Sequence, residues 1–203
     1  MVDVFIELDR KNTNHGSILK EYYARYLTDI RKNSQSTVKH YFDALNNISR
    51  RLKEKSLVRE NIYEVADIDT LFQLRDILYS DLDFIQANER GRRMYSAGLN
   101  NYCRFASGDE FSEIAEKIKT FDVPVPKDQN LTITKTIWKR SGVLRTQAFE
   151  LANYKCELNR EHETFIAEST NKPYMEGHHA LPMSLQDQFS VSLDVYSNII
   201  CLC

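Results

Sequence analysis

The chain has 203 residues, 42% of them hydrophobic and 28% charged, with only 6 Gly and 4 Pro, so it can bury its own core and is neither low-complexity nor collagen-like. No apolar run approaches the roughly 18 residues a membrane span needs, and Met1-Val-Asp-Val-Phe-Ile-Glu7 has no basic, apolar leader, so a soluble, cytoplasmic chain without a membrane partner is expected. A net charge of −2 gives no bulk attraction to nucleic acid or membrane, and any charge-driven partner must use a local patch.

From Ser17 to Ser107 the pattern is helical. Ile18, Tyr22, Tyr26, Leu27 and Ile30 recur at three- and four-residue steps, and Ser34-Gln-Ser-Thr37 opens a second run through Val38, Tyr41, Leu45, Ile48 and Leu52. A hydroxyl at that start can accept the free amides of the first turn. Asp67 or Asp69 starts a third helix with Leu71, Leu74, Ile77 and Leu78; a shorter one lies around Leu82, Phe84 and Ile85. A fifth carries Met94, Leu99, Tyr102 and Phe105 and stops near Gly108, and Asp109 to Thr120 reads as one more short helix. The expected class is mainly α, with an all-helical bundle over 1–120.

At Phe121 to Lys135, Pro124 and Pro126 alternate with valines, and Thr132, Ile133 and Thr134 favour extended backbone. A linker is therefore expected over 121–140. Gly142 to Tyr154 reads as a helix with Leu144, Ala148, Phe149 and Leu151 on its apolar side, followed by short extended segments at Thr164–Ile166, Tyr174–His178 and Asn198–Leu202.

Charge divides in the same place. Residues 151–203 carry three basic and seven acidic residues, leaving 24 basic and 22 acidic upstream. Basic clusters stand at Arg50, Arg51, Lys53, Lys55 and Arg59, at Arg90, Arg92 and Arg93, and at Lys135, Lys139, Arg140 and Arg145. Each could touch phosphates, but each taken alone reads more readily as a solvated helix face.

Three of the four Cys (Cys156, Cys201, Cys203) and three of the five His (His162, His178, His179) fall in the last quarter. Without an export signal, such Cys are read as reduced thiols or metal ligands rather than a disulfide framework. Cys156 and His162 form Cys-x5-His, and soft sulfur and imidazole ligands suit a tetrahedral zinc site. In the alternation Cys201-Leu-Cys203 the first thiol is expected to face the core and the second to be the ligand. His178-His179 follow an extended stretch and precede Pro182, which ends it. One imidazole suits a metal and the other proton abstraction from water, although a structural role for either ring fits the bare dipeptide.

The stretch Tyr154-Lys-Cys156-Glu-Leu-Asn-Arg-Glu-His162, with Tyr174-Met-Glu176-Gly-His178-His179-Ala-Leu-Pro182 and Ser192-Leu-Asp194 through Asn198 to Cys203, resembles the HNH endonuclease module of bacterial restriction enzymes. That resemblance implies a ββα-metal nuclease domain over 141–203 and hydrolysis of double-stranded DNA. It places His178 at the ligand position of a catalytic divalent ion, Mg²⁺ or similar, and His179 at the general base. Asn198 matches the middle Asn that ties the loop to the strands, and Cys156, His162 and Cys203 match structural zinc positions. Glu176 is left to orient an imidazole or to face solvent, solvent being favoured. The family continues beyond the equivalent of Cys203 with another zinc Cys and the His that completes the catalytic metal site. The expected unit is thus incomplete, lacking its last helix, and the chain itself is expected to cut poorly or not at all.

Ser36-Thr-Val-Lys-His-Tyr41-Phe-Asp-Ala-Leu45 and Tyr95-Ser-Ala-Gly-Leu99-Asn-Asn-Tyr102-Cys-Arg-Phe105 are similar to the helical core-binding domain of phage integrases and tyrosine recombinases, which clamps DNA. The resemblance makes Lys39, Arg50, Arg51, Arg92 and Arg93 the DNA-binding candidates. Tyr22, Tyr23, Tyr26 and Tyr41 could stack on bases, but their helical spacing favours core packing. Restriction-type enzymes often act as homodimers, which leaves that state open here. The alternative is a non-catalytic DNA- or protein-binding module with a structural zinc-type tail, while no Cys has the context of an activated nucleophile.

Overall fold

The computed structural model describes residues 18–109, 111–114 and 140–203. The fold is mainly helical, with a small strand region. The first helix, α1 (Ile18–Arg25), passes into a wider helical turn over Tyr26–Ile30 and buries Tyr22, Tyr23, Tyr26 and Leu27. Helix α2 (Gln35–Glu54) starts where the Ser34 hydroxyl accepts the Thr37 amide at 3.2 Å, and it buries Val38, Leu45, Ile48 and Leu52. Of the two candidate acids, Asp67 caps α3 (Ile68–Ser80), accepting from the Thr70 amide at 2.9 Å. Asp81 then ends α3 and caps α4 (Leu82–Arg90).

Two apolar stripes are narrower than the periodicity implies: Ile77 on α3 and Leu82 and Ile85 on α4 are exposed, and only Phe84 of the latter group is buried. Helix α5 (Met94–Ser107) crosses α2 closely at Gly98, where an added Cβ would lie 2.8 Å from Ala44 Cβ. Beyond it Ser112–Ile114 form one short turn. The rest of the expected helix to Thr120 and nearly all of the expected linker lie outside the described residues.

Helix α6 (Gly142–Leu151) begins with the Ser141 hydroxyl accepting the Leu144 amide. It is shorter than the expected Gly142–Tyr154, because Asn153 and Tyr154 adopt positive φ of 55° and 51°, which a right-handed helix cannot continue through. Strands β1 (Ile166–Ala167) and β2 (Lys172–Pro173) form a minimal antiparallel hairpin. Strands β3 (Glu176–His179) and β4 (Ile199–Leu202) form another, pairing His178 with Ile200 and His179 with Ile199.

One buried cluster runs from the bundle residues Tyr22, Leu45 and Phe105 into Val143, Leu144 and Ala148 of α6 and on to Tyr196 and Ile199. The rings of Tyr22 and Tyr196 are 4.6 Å apart, the Tyr196 hydroxyl donates to Gln147 Oε1 at 2.6 Å, and the Gln147 amide donates to the Phe105 carbonyl. The helical and strand-bearing parts therefore share one core across the compositional break at 121–140. A smaller cluster of Ala152, Cys156, Met175 and Cys201 lies under the strands. Among the described residues no helix is long and apolar enough to cross a membrane.

Candidate functional site

Strand alternation sends the two adjacent imidazoles to opposite faces of β3. His179 turns inward, with its Nε2 2.8 Å from Asp194 Oδ1 and the two side chains only 8% and 5% exposed. Asp194 Oδ2 accepts the Ser141 amide at 2.7 Å, so the dyad is tied to the start of α6. An ionised carboxylate only accepts, so Nε2 carries the hydrogen and Nδ1 is the basic nitrogen.

Asn198 holds the adjoining chain. Its Oδ1 accepts the Leu181 amide at 2.7 Å, while its Nδ2 donates to the carbonyls of Leu181 at 2.9 Å and Leu193 at 2.8 Å. The backbone carbonyl of the same residue accepts the Ala180 amide at 2.9 Å. One side chain thus fixes the segments that follow His179 and precede Asp194.

His179 and Asp194 line a cleft of about 600 Å³ between the bundle and the strand region. Its other walls include Arg59, Asp67 and Thr70 from the bundle and Arg140, Ser141 and Arg145 at the start of α6. The Asp67 carboxyl is held below its usual range by the Thr70 hydroxyl and amide, with Arg145 adding to the effect.

His178 is placed differently from what the resemblance implies. It is more than half exposed, and its Nε2 lies 3.1 Å from Glu176 Oε2 on the outer face. Tyr174 donates to the other carboxylate oxygen at 2.9 Å, and these two hydrogen bonds, that from Tyr174 first, lower the Glu176 pKa. Glu176 therefore does orient an imidazole, that of His178, while remaining exposed. Among the described residues no third His, Cys, Asp or Glu joins them to make a metal group.

Cys156, His162 and Cys203 make a group that could hold a metal ion, their ligand atoms all lying within 4.8 Å of one another. A tetrahedral ion with zinc–sulfur bonds of about 2.3 Å would set two sulfurs about 3.8 Å apart, which lies within that spread. His162 Nδ1 already lies 3.3 Å from Cys203 Sγ. Glu157 brings the two ends of the chain segment together: its amide donates to the Cys201 carbonyl at 2.9 Å, and its carboxylate accepts the Cys201 amide at 2.7 Å. Cys201 is buried and Cys203 exposed; strand alternation does not separate them, since residues two apart share a face, and Cys203 is free to turn outward because it lies just past the end of β4. Backbone amides of Asn159 and Cys203, then that of Leu158 and the Cys203 thiol, point at the Cys156 sulfur and lower its pKa to about 6.

The bundle residues named for DNA contact sit elsewhere. Lys39, Arg50, Arg92 and Arg93 are exposed, Arg51 donates to Asn47 at 3.0 Å, Arg93 pairs with Glu89, and none of the five lines the cleft. Tyr22, Tyr23 and Tyr26 are buried in the core. Sequence reasoning missed the pairing of His179 with Asp194, which no local spacing marks, and the convergence of Arg59 with Arg140 and Arg145, which sat in two separate basic clusters. No family model matches the chain, and no curated protein or solved structure is similar to it.

Proposed function

We propose that the chain carries the base-bearing part of an HNH-type DNA endonuclease, in which His179 takes a proton from the water that attacks a phosphodiester. The observation that carries this reading is the His179–Asp194 dyad on the wall of an arginine-bearing cleft. Asp194 fixes the ring and its tautomer and stabilises the imidazolium formed when Nδ1 takes the proton. The arginines offset the charge developing on the phosphate. Asn198 bridging the loop to the β3–β4 hairpin supports assigning that hairpin to the HNH fold. The Cys156, His162 and Cys203 group is assigned to a structural zinc ion, which bonds these segments together and supplies no catalytic step.

The separation of His178 from His179 favours a second reading, a non-catalytic nucleic-acid-binding module with the same zinc-held tail. Plasmid nicking with Mg²⁺ or Mn²⁺ separates the two. The chain would be compared with a form extended by whatever its reading frame encodes beyond Cys203, each with and without His179→Ala. Cleavage by either form that disappears with His179→Ala is the expected result. Absence of cleavage by both, or cleavage indifferent to the substitution, would refute the nuclease reading.

A further inference from the structure

The cleft beside His179 gathers cations from parts of the chain far apart in sequence. Arg59 comes from the loop after α2, whereas Arg140 and Arg145 come from the start of α6. Among the described residues none of the three guanidinium groups has an ion-pair or hydrogen-bond partner, although seven other lysines and arginines are paired with acids. Three like charges around one cleft repel one another; the carboxylates of Glu64, Asp67 and Asp194 in the same lining offset part of that repulsion, and an anion gripped by the guanidinium groups removes more of it.

The walls are set close by two glycines. A Cβ on Gly142 would lie 2.9 Å from the Ala66 carbonyl oxygen, so only glycine lets α6 seat against the 62–67 segment; the Val143 amide bonds that same oxygen at 2.9 Å. A Cβ on Gly177 would lie 2.9 Å from Arg145 Cγ, so the bare strand backbone is what the arginine stem lies against. The stem is held by packing while the guanidinium is left unpaired.

We propose that Arg59, Arg140 and Arg145 grip backbone phosphates of a DNA strand in this cleft, so that the helical bundle completes the site. The assignment of the strand as substrate rests on the nuclease reading, but the grip does not require cleavage. A planar guanidinium with its fork of donors suits phosphate oxygens, and the carboxylates that share the lining, Glu64, Asp67 and Asp194, disfavour anions that do not reach the arginines.

The test is fluorescence anisotropy of a labelled duplex with the full chain, without added Mg²⁺, across a salt series. Arg59→Ala, Arg140→Ala and Arg145→Met are each expected to weaken binding and to reduce the slope of log affinity against log salt by about 0.9, the loss of one phosphate contact. Arg145→Met keeps an apolar stem against Gly177, and Arg59→Lys should retain the slope; melting curves identify any variant that has unfolded. Unlabelled inorganic phosphate and a deoxynucleoside monophosphate serve as competitors. An unchanged slope in the cleft variants with a reduced slope in the Arg50→Ala/Arg51→Ala or Arg92→Ala/Arg93→Ala pairs would overturn the proposal. So would no binding at low salt, or a monophosphate competing as strongly as the strand. Grip through the cleft with no cutting by either the chain or its extended form defeats the nuclease reading alone, and cutting unaffected by the three cleft variants defeats the present inference alone.

Discussion

Cys156 shows how a few backbone amides can prepare a ligand before any metal arrives. The amides of Asn159 and Cys203 lead the effect, and they hold the sulfur as thiolate down to about pH 6. Cys203 behaves oppositely, its thiol donating to Cys156 and its pKa raised by that bond. At pH 7.5 the two sulfurs therefore carry about one proton between them, and zinc binding is expected to release about one, chiefly from Cys203. Calorimetric titration in buffers of different ionisation enthalpy counts it; release of two protons would show that Cys156 is not pre-ionised. The sign for acidification follows. As pH falls through about 6, Cys156 regains a proton that the ion must displace, so affinity should drop more steeply there than between pH 7 and 8.

The elements were legible where their causes are local. Ser34 and the Val38 to Leu52 spacing mark α2, and Gly108 at a φ of 73° marks the end of α5. The misjudged end of α6 has a local cause as well, but positive φ at Asn153 and Tyr154 carries no glycine to announce it. Gly142 illustrates what no local rule contains, since it reads as the start of a helix while its missing side chain serves a neighbour in space. Gly142→Ala sets a Cβ 2.9 Å from the Ala66 carbonyl oxygen, and a backbone atom cannot swing aside as a side chain can. The substitution is expected to cost about 1–3 kcal/mol in urea unfolding, the range for overpacking, and to weaken DNA binding by widening the cleft. A gain in stability, as alanine gives at an unobstructed helix position, would mean the α6 contact is not tight.

At the scale of the molecule, the break in composition at 121–140 and the continuity of the core describe different things. Pro and Thr content records local backbone preference, whereas Tyr196, Ile199 and Leu144 join the bundle core through contacts that no window of sequence contains. The candidate site has the same origin. Its imidazole and its candidate metal ligands were legible as residue types, but the cleft exists only because α6 binds the bundle on one side and the β3–β4 hairpin on the other. If that packing is cooperative, the helices and the metal group should unfold together. Leu144→Ala, a fully buried truncation, is expected to cost about 2–5 kcal/mol and to lower one shared transition. Helix loss followed by circular dichroism and zinc release followed by a chelating dye should shift by the same amount. A zinc transition left in place while the helical one moves would show that the strand region keeps its structure without the bundle, and that the arginine-bearing cleft is a contact between two independent units.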